Sequence, residues 1–216
     1  MQNPTNSNQQ VSINQVNVFS IPIYEIPVPA LAVHNDAIEK AFKAKIDSGE
    51  LKLNKNGFGY QTPPDLLFED AWPQPWFREQ LAPIFINACK KILEHAILDW
   101  SDDTKFRWKN TITSCWGVVQ TGTLTGDNPW HSHLPATLSG CYYVKLPKNQ
   151  AEGNFQFMNP MASNIFQPKV GELRPREGHM LIFPSFMNHR PSLSPTIGDD
   201  LRISICLDGH FTTEML

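Results

Sequence analysis

Proline sets the first limit on what this chain can fold into. Eighteen prolines are spread over 216 residues. Inside a helix, each removes a backbone hydrogen bond and clashes with the preceding turn. Helical periodicity survives in two stretches. Asn35 to Ser48 carries Ala37, Ile38, Ala41, Phe42 and Ile46 on one stripe, with Asn35 or Asp36 as its cap. Pro75 to Trp100 carries Phe77, Leu81, Phe85, Ile92 and Ala96, and Pro83 either kinks this helix or marks its start. Ahead of both, Val16 to Pro29 interleaves apolar residues with prolines, which suits an edge strand or two. Residues 1–15 are rich in Asn, Gln and Ser and read as a polar tail.

Beyond residue 106 the period changes from 3.6 to 2. Phe106–Gln120, Ala136–Leu146, Asn154–Met158, a short piece starting at Leu173, His179–Pro184 and Leu201–Leu207 are rich in β-branched and aromatic residues. Turn-forming clusters at 123–129, 147–153, 175–178 and 194–200 separate them. The expectation is a mainly β fold with flanking helices, a sandwich or jelly roll whose helices pack on one sheet. A single domain over 16–216 is expected, with its helical part at 35–100 and its β core at 106–210.

Charge and cysteine usage narrow the function classes. The formal net charge is −3, and charged residues make up 18% of the chain, below the usual ~25%. There is no basic stripe, so nucleic acid is not an expected partner. No run of apolar residues is long enough for a membrane helix, and the first residues lack the pattern of a secretory signal. Cys89, Cys115, Cys141 and Cys206 form no C-x-x-C, so free thiols in a cytoplasmic protein are expected.

The chemistry sits in the β-rich half. His131 and His133 in Trp130-His131-Ser132-His133 are two apart, and on an extended segment both rings point the same way and can share one metal. A third histidine, His189, follows the apolar strand His179–Pro184. Thirteen residues later comes Arg202-Ile203-Ser204. Arg202 and Ser204 share one strand face, opposite Leu201, Ile203 and Ile205. A guanidinium beside a hydroxyl suits a carboxylate, either on a ligand or on one of the chain's own acids. Tyr143 lies on the face of Ser139 and Cys141, where its phenol can meet a ligand or pack in the core. His179 reads as structural. Phe58, Tyr60, Trp116 and Trp130 read as packing residues that could equally line a pocket.

H-x-H, a distal histidine and a downstream R-x-S together resemble the iron(II)- and 2-oxoglutarate-dependent oxygenases, and most closely a subfamily found in bacteria and phages. The resemblance runs through Gly59-Tyr60-Gln61-Thr62 with Asp65-Leu66, Asn128–Pro135, Leu138–Val144, Gly178–His189 and Arg202–Ile205. It implies a double-stranded β-helix (a jelly roll of cupin-like form) with Fe(II) in its mouth. It also implies that His131 and His189 occupy the family's histidine positions, and that Arg202, assisted by Ser204 and with Tyr143 nearby, holds the co-substrate 2-oxoglutarate. The reaction implied uses O2, converts 2-oxoglutarate to succinate and CO2, and hydroxylates a small molecule or an exposed side chain.

This chain departs from the family at His133, where a carboxylate completes the 2-His-1-carboxylate triad. Three arrangements follow. His133 is a third histidine ligand, or it turns away, or an acid such as Asp127 or Asp208 completes the set. Two rival functions remain beside the oxygenase. One is a three-histidine cupin-type dioxygenase that uses no 2-oxoglutarate. The other is a non-catalytic metal-binding jelly roll, since imidazole also suits zinc, copper and nickel. The apolar, proline-rich stretch from Ile21 to Leu31 is a candidate interface strand of a homodimer.

Overall fold

The computed structural model describes residues 21–67, 72, 75–98, 106–121, 128–148, 153–161, 168–192 and 200–215. Among these residues, nine strands form two antiparallel sheets. In chain order they are β1 (Tyr24–Pro27), β2 (Tyr60–Gln61), β3 (Phe106–Thr121), β4 (Leu138–Lys145), β5 (Phe155–Met158), β6 (Val170–Leu173), β7 (His179–Pro184), β8 (His189–Pro191) and β9 (Leu201–Met215). The larger sheet has the order β1-β7-β4-β9-β3-β2 and the smaller β6-β5-β8. This is the jelly-roll architecture expected from the sequence.

Strand alternation explains why two sheets form. In β4, β7 and β9 successive side chains enter two different cores. Leu138, Tyr142, Met180, Ile182, Ile203, Ile205 and Leu207 face the helices. Cys141, Tyr143, Leu181 and Phe183 face the smaller sheet, where they meet Phe155, Phe157 and Met187. Nearly every residue of β4 is buried for this reason.

Three helices cover the outer face: α1 (Pro29–Ala32), α2 (Asn35–Asp47) and α3 (Ala82–Leu98). A wide π turn over Trp76–Leu81 runs straight into α3, and the amide of Ala82 reaches back to the Phe77 carbonyl. Pro83 therefore sits just past a turn that has already loosened, which relieves its clash with the preceding carbonyl. Helix α2 follows its sequence stripe, burying Ile38 and Phe42. It ends within one residue of the expected boundary. The far end of the second helix, the tail at 1–15 and most of the turns at 123–129 and 194–200 lie outside the described residues.

Four details differ from the sequence reading. Tyr60–Gln61 pairs with Val119 and Val118 as β2, a strand absent from the segments expected above. The segment near Leu173 is a strand that ends at Leu173 rather than starting there. β9 continues to Met215, held throughout by pairing with β3. β8 was not expected, because three residues ending in proline carry no periodicity.

Glycines let the helices approach the sheet. A methyl group on Gly117 would stand 2.4 Å from the Phe42 ring, and one on Gly140 would stand 2.8 Å from the Phe85 ring. Gly117→Ala is therefore expected to cost about 1–3 kcal/mol by overpacking. Combining it with Phe42→Leu should recover part of that loss in urea unfolding. Fully additive losses would show that the two positions do not press on each other.

Candidate functional site

Strand register builds the floor of the site row by row. β9 projects Arg202, Ser204, Cys206 and Asp208 inward. In β3 the residues opposite are Gln120, Val118, Trp116 and Ser114. In β4, Tyr143, Cys141 and Ser139 stand opposite Ser204, Cys206 and Asp208. Cross-strand partners are close enough to interact directly. Arg202 thus meets Gln120 at one end of the floor, and Asp208 meets Ser114 and Ser139 at the other.

The three histidines close over this floor. His131 and His189 form an isolated backbone bridge, with amide-to-carbonyl distances of 3.2 and 2.9 Å, which links the segment before β4 to β8 of the smaller sheet. The amide of His133 bonds to the Ser185 carbonyl at 2.9 Å. The ring centroids lie 5.2 Å (His131–His133), 4.6 Å (His131–His189) and 4.8 Å (His133–His189) apart. One ligand atom from each comes within 4.8 Å of the others.

Each ring is held by its other nitrogen. Nδ1 of His131 lies 2.9 Å from the Pro129 carbonyl, and Nδ1 of His189 lies 2.9 Å from the Met187 carbonyl. Nδ1 of His133 lies 2.7 Å from Asp208 Oδ1. All three Nδ1 atoms face oxygen acceptors, so Nδ1 donates and Nε2 is the atom turned toward the other rings. That pattern of outer hydrogen bonds is the one metal-bound histidines use.

Burial keeps two of the rings neutral. Phe155 and Phe183 pack on His189, with ring centroids 5.2 and 4.7 Å away. Desolvation pulls its pKa down to about 3, against an opposing pull from the Met187 carbonyl. His131 is lowered as well, first by burial. A neutral imidazole is the form that binds a metal.

Across the cavity lies a buried cation, Arg202. Arg202 is 2% exposed. Its Nη1 donates to Gln120 Oε1 at 3.0 Å and to Ser204 Oγ at 3.3 Å, and its guanidinium lies 5.2 Å from the Tyr143 ring centre. Its Nη2 and the Tyr143 hydroxyl are both buried without a hydrogen-bond partner. No carboxylate pairs with Arg202 among the described residues. Leaving such donors unsatisfied is costly, and a ligand carboxylate would satisfy them. A cavity of about 280 Å³ joins this corner to the histidines, walled by Phe58, Trp116 and the facing thiols of Cys141 and Cys206, whose sulfurs are 3.8 Å apart.

Of the residues singled out in the sequence, His131, His133, His189, Arg202 and Ser204 line one cavity, and Tyr143 lies beneath Arg202. His179 stands apart at the start of β7, bonded to the Glu177 carbonyl. Phe58 and Trp116 line the cavity, Tyr60 packs against the helix-side core, and Trp130 lies under the Arg190 guanidinium. Asp208 is not among the converging atoms. Its oxygens are bonded to His133, Ser139 and Ser114. Asp127 lies outside the described residues. The sequence reading missed Gln120, Ser114 and the bonding role of Ser139. The register of β3 and β4 against the Arg202–Asp208 face is the signal that finds them.

Residues 114–208 match the family model described as "Putative 2OG-Fe(II) oxygenase". The matched residues, under half of the chain, are similar to the 2OG-Fe(II) oxygenases from Ser114 in β3 to Asp208 in β9. That similarity points to an oxidoreductase that depends on Fe(II) and 2-oxoglutarate. No curated protein matches the sequence. Solved structures share the fold at low identity. AviO1 from Streptomyces viridochromogenes is 13% identical over 88% of this chain and 90% of its own, with a TM-score of 0.58. A Pseudomonas putida prolyl-4-hydroxylase is 12% identical over 88% and 93%, with a TM-score of 0.51. The carbocyclase SnoK from nogalamycin biosynthesis is 10% identical over 88% and 79%, with a TM-score of 0.53.

The depressed pKa of His189 ties stability to pH. Below about 6.5 the unfolded chain protonates this ring, whereas the folded protein resists until about 3. Stability is therefore lost as pH falls through that window. His189→Gln removes this contribution. The stability gap between metal-free wild type and the variant should be wider near about pH 7.5 than near about pH 4.5. An equal gap at both would show that burial does not hold the ring neutral.

Proposed function

We propose that His131, His133 and His189 hold Fe(II) as a three-histidine set. We further propose that Arg202, Ser204 and Tyr143 hold the distal carboxylate of 2-oxoglutarate. The observation that carries this reading is the pairing, across one cavity, of three imidazole nitrogens with a buried guanidinium that has no acid partner among the described residues. The donor set fits the groups. Neutral imidazoles suit a divalent metal, and orphaned guanidinium and phenol donors suit a carboxylate. The bound iron supplies O2 activation coupled to oxidative decarboxylation of 2-oxoglutarate to succinate and CO2.

The chain's own residues do the rest. Gln120 and Ser204 hold Nη1 of Arg202, which leaves Nη2 to meet the incoming carboxylate. Burial raises the Tyr143 phenol well above its ordinary range, so it stays protonated and can donate a hydrogen bond. Phe58 and Trp116 give the cavity apolar walls that displace water. The substrate proposed is a small molecule or an exposed side chain, and the outcome proposed is hydroxylation. Residues 16–216 are proposed to act as one unit.

Two finer points belong to the same proposal. β1 lies at the edge of the larger sheet, paired only to β7, and supports a homodimer formed through that edge. The four free cysteines support a cytoplasmic location. No helix among the described residues is long and apolar enough to cross a membrane.

The test is anaerobic. Protein loaded with Fe(II) and given 2-oxoglutarate should show the visible charge-transfer band of a chelated 2-oxo acid. His189→Ala and His133→Ala should abolish it with loss of iron. Arg202→Ala should keep iron but weaken 2-oxoglutarate by about 100-fold, as expected when one partner of a buried charge pair is removed. Iron bound without any band would turn the reading toward a dioxygenase that does not use 2-oxoglutarate.

A further inference from the structure

The three histidines are not equivalent. His131 and His189 each donate Nδ1–H to a neutral carbonyl, whereas His133 donates to a carboxylate. Asp208 is 8% exposed. Its Oδ1 accepts from His133 at 2.7 Å and from the Ser139 hydroxyl at 2.7 Å, and its Oδ2 accepts from the Ser114 hydroxyl at 3.1 Å. Ser139 is bonded in turn to Ser185 at 2.8 Å, whose own carbonyl accepts the His133 amide. Among the described residues, Asp208 pairs with no lysine or arginine. The basic side chain bonded to it there is His133.

We propose that Asp208 is a positioning residue that returns to this site, one imidazole removed, the carboxylate that the family carries as a direct ligand. The inference rests on the three-histidine reading. Three physical effects follow from it. The carboxylate fixes His133 as the Nδ1–H tautomer. The serines lock the carboxylate, so the ring plane is set and Nε2 is aimed at the other two nitrogens. A negative charge on the far side of the ring makes His133 a more basic ligand than its two neighbours. The neutral protein shell left by the departure at position 133 thereby regains one buried negative charge.

The arrangement also explains why position 133 does not hold an acid here. An aspartate at that position would face the buried carboxylate of Asp208, and two like charges at this range repel. The two positions form a pair. Histidine at 133 needs the carboxylate at 208, and aspartate at 133 needs a neutral residue there.

Metal affinity tests this directly. Fe(II), or Co(II) as an air-stable probe, is titrated anaerobically into purified metal-free protein by calorimetry. Asp208→Asn should weaken binding by about tenfold and Asp208→Ala by up to about 100-fold. His133→Asp alone should bind poorly, and His133→Asp with Asp208→Asn should bind at least about tenfold tighter than that single variant. In the metal-free wild type, proton NMR should show the His133 Nδ1–H as a downfield, slowly exchanging signal that Asp208→Ala removes. A carboxylate with only a structural role would lower the melting temperature of these variants without moving the metal affinity of the folded protein. That result would overturn the proposal, as would no gain from the double substitution. Wild type that takes up neither metal would overturn the three-histidine reading itself. Wild type that binds normally alongside indifferent Asp208 variants would overturn this inference alone.

Discussion

β4, β7 and β9 from Arg202 to Gly209 are almost wholly buried, so residues on both of their faces must satisfy one of two cores. The helix-facing set is almost wholly apolar, and Phe42 and Phe85 rest on glycines that leave them room. The inward set begins apolar in β7 and becomes polar in β9, where Arg202, Ser204, Cys206 and Asp208 follow one another on the same face. A strand cannot place a polar residue inward without finding it a partner, because an unpaired buried polar group costs more than its hydrogen bond returns. The polar row of β9 therefore dictates its neighbours. Gln120 stands beside Arg202, and Ser114 and Ser139 stand beside Asp208. Two donors are left open, Nη2 of Arg202, which lines the cavity, and the Tyr143 hydroxyl beneath it.

The electrostatics of the cavity divide accordingly. One end holds a fixed positive charge with directional donors and, among the described residues, no acid to neutralise it. The other holds three imidazoles, two of them kept uncharged by burial, with one carboxylate behind the third. A ligand carrying a carboxylate at one end and metal-chelating oxygens at the other matches this division along its whole length. Tight burial also explains the choice of arginine. Its charge persists in an apolar environment where a lysine would tend to lose its proton.

Much of this was legible in the sequence because it depends on local period. The two histidines at 131 and 133, the inward face of Arg202 and Ser204, and the stripe of α2 all follow from spacing alone. The same period carries Asp208 onto the Arg202 face. What spacing could not show is that Asp208 meets His133, since that contact spans 75 residues and depends on how β4 registers against β9. β2 and β8 are two and three residues long and exist only through their partners. Pro83 was visible as a disruption of the second helix, but not the wide turn that accommodates it.

The backbone bridge between His131 and His189 has a consequence for the folding of the molecule. It is a narrow seam between the larger sheet and the short strands of the smaller one. An ion held by both residues and by His133 would act as a rivet across that seam, clasping two parts of the chain that lie 58 positions apart. Ligands that bind only the folded state stabilise it in proportion to the logarithm of their free concentration. The integrity of the jelly roll's mouth is then coupled to metal supply, and iron-starved protein would open first where its two sheets meet.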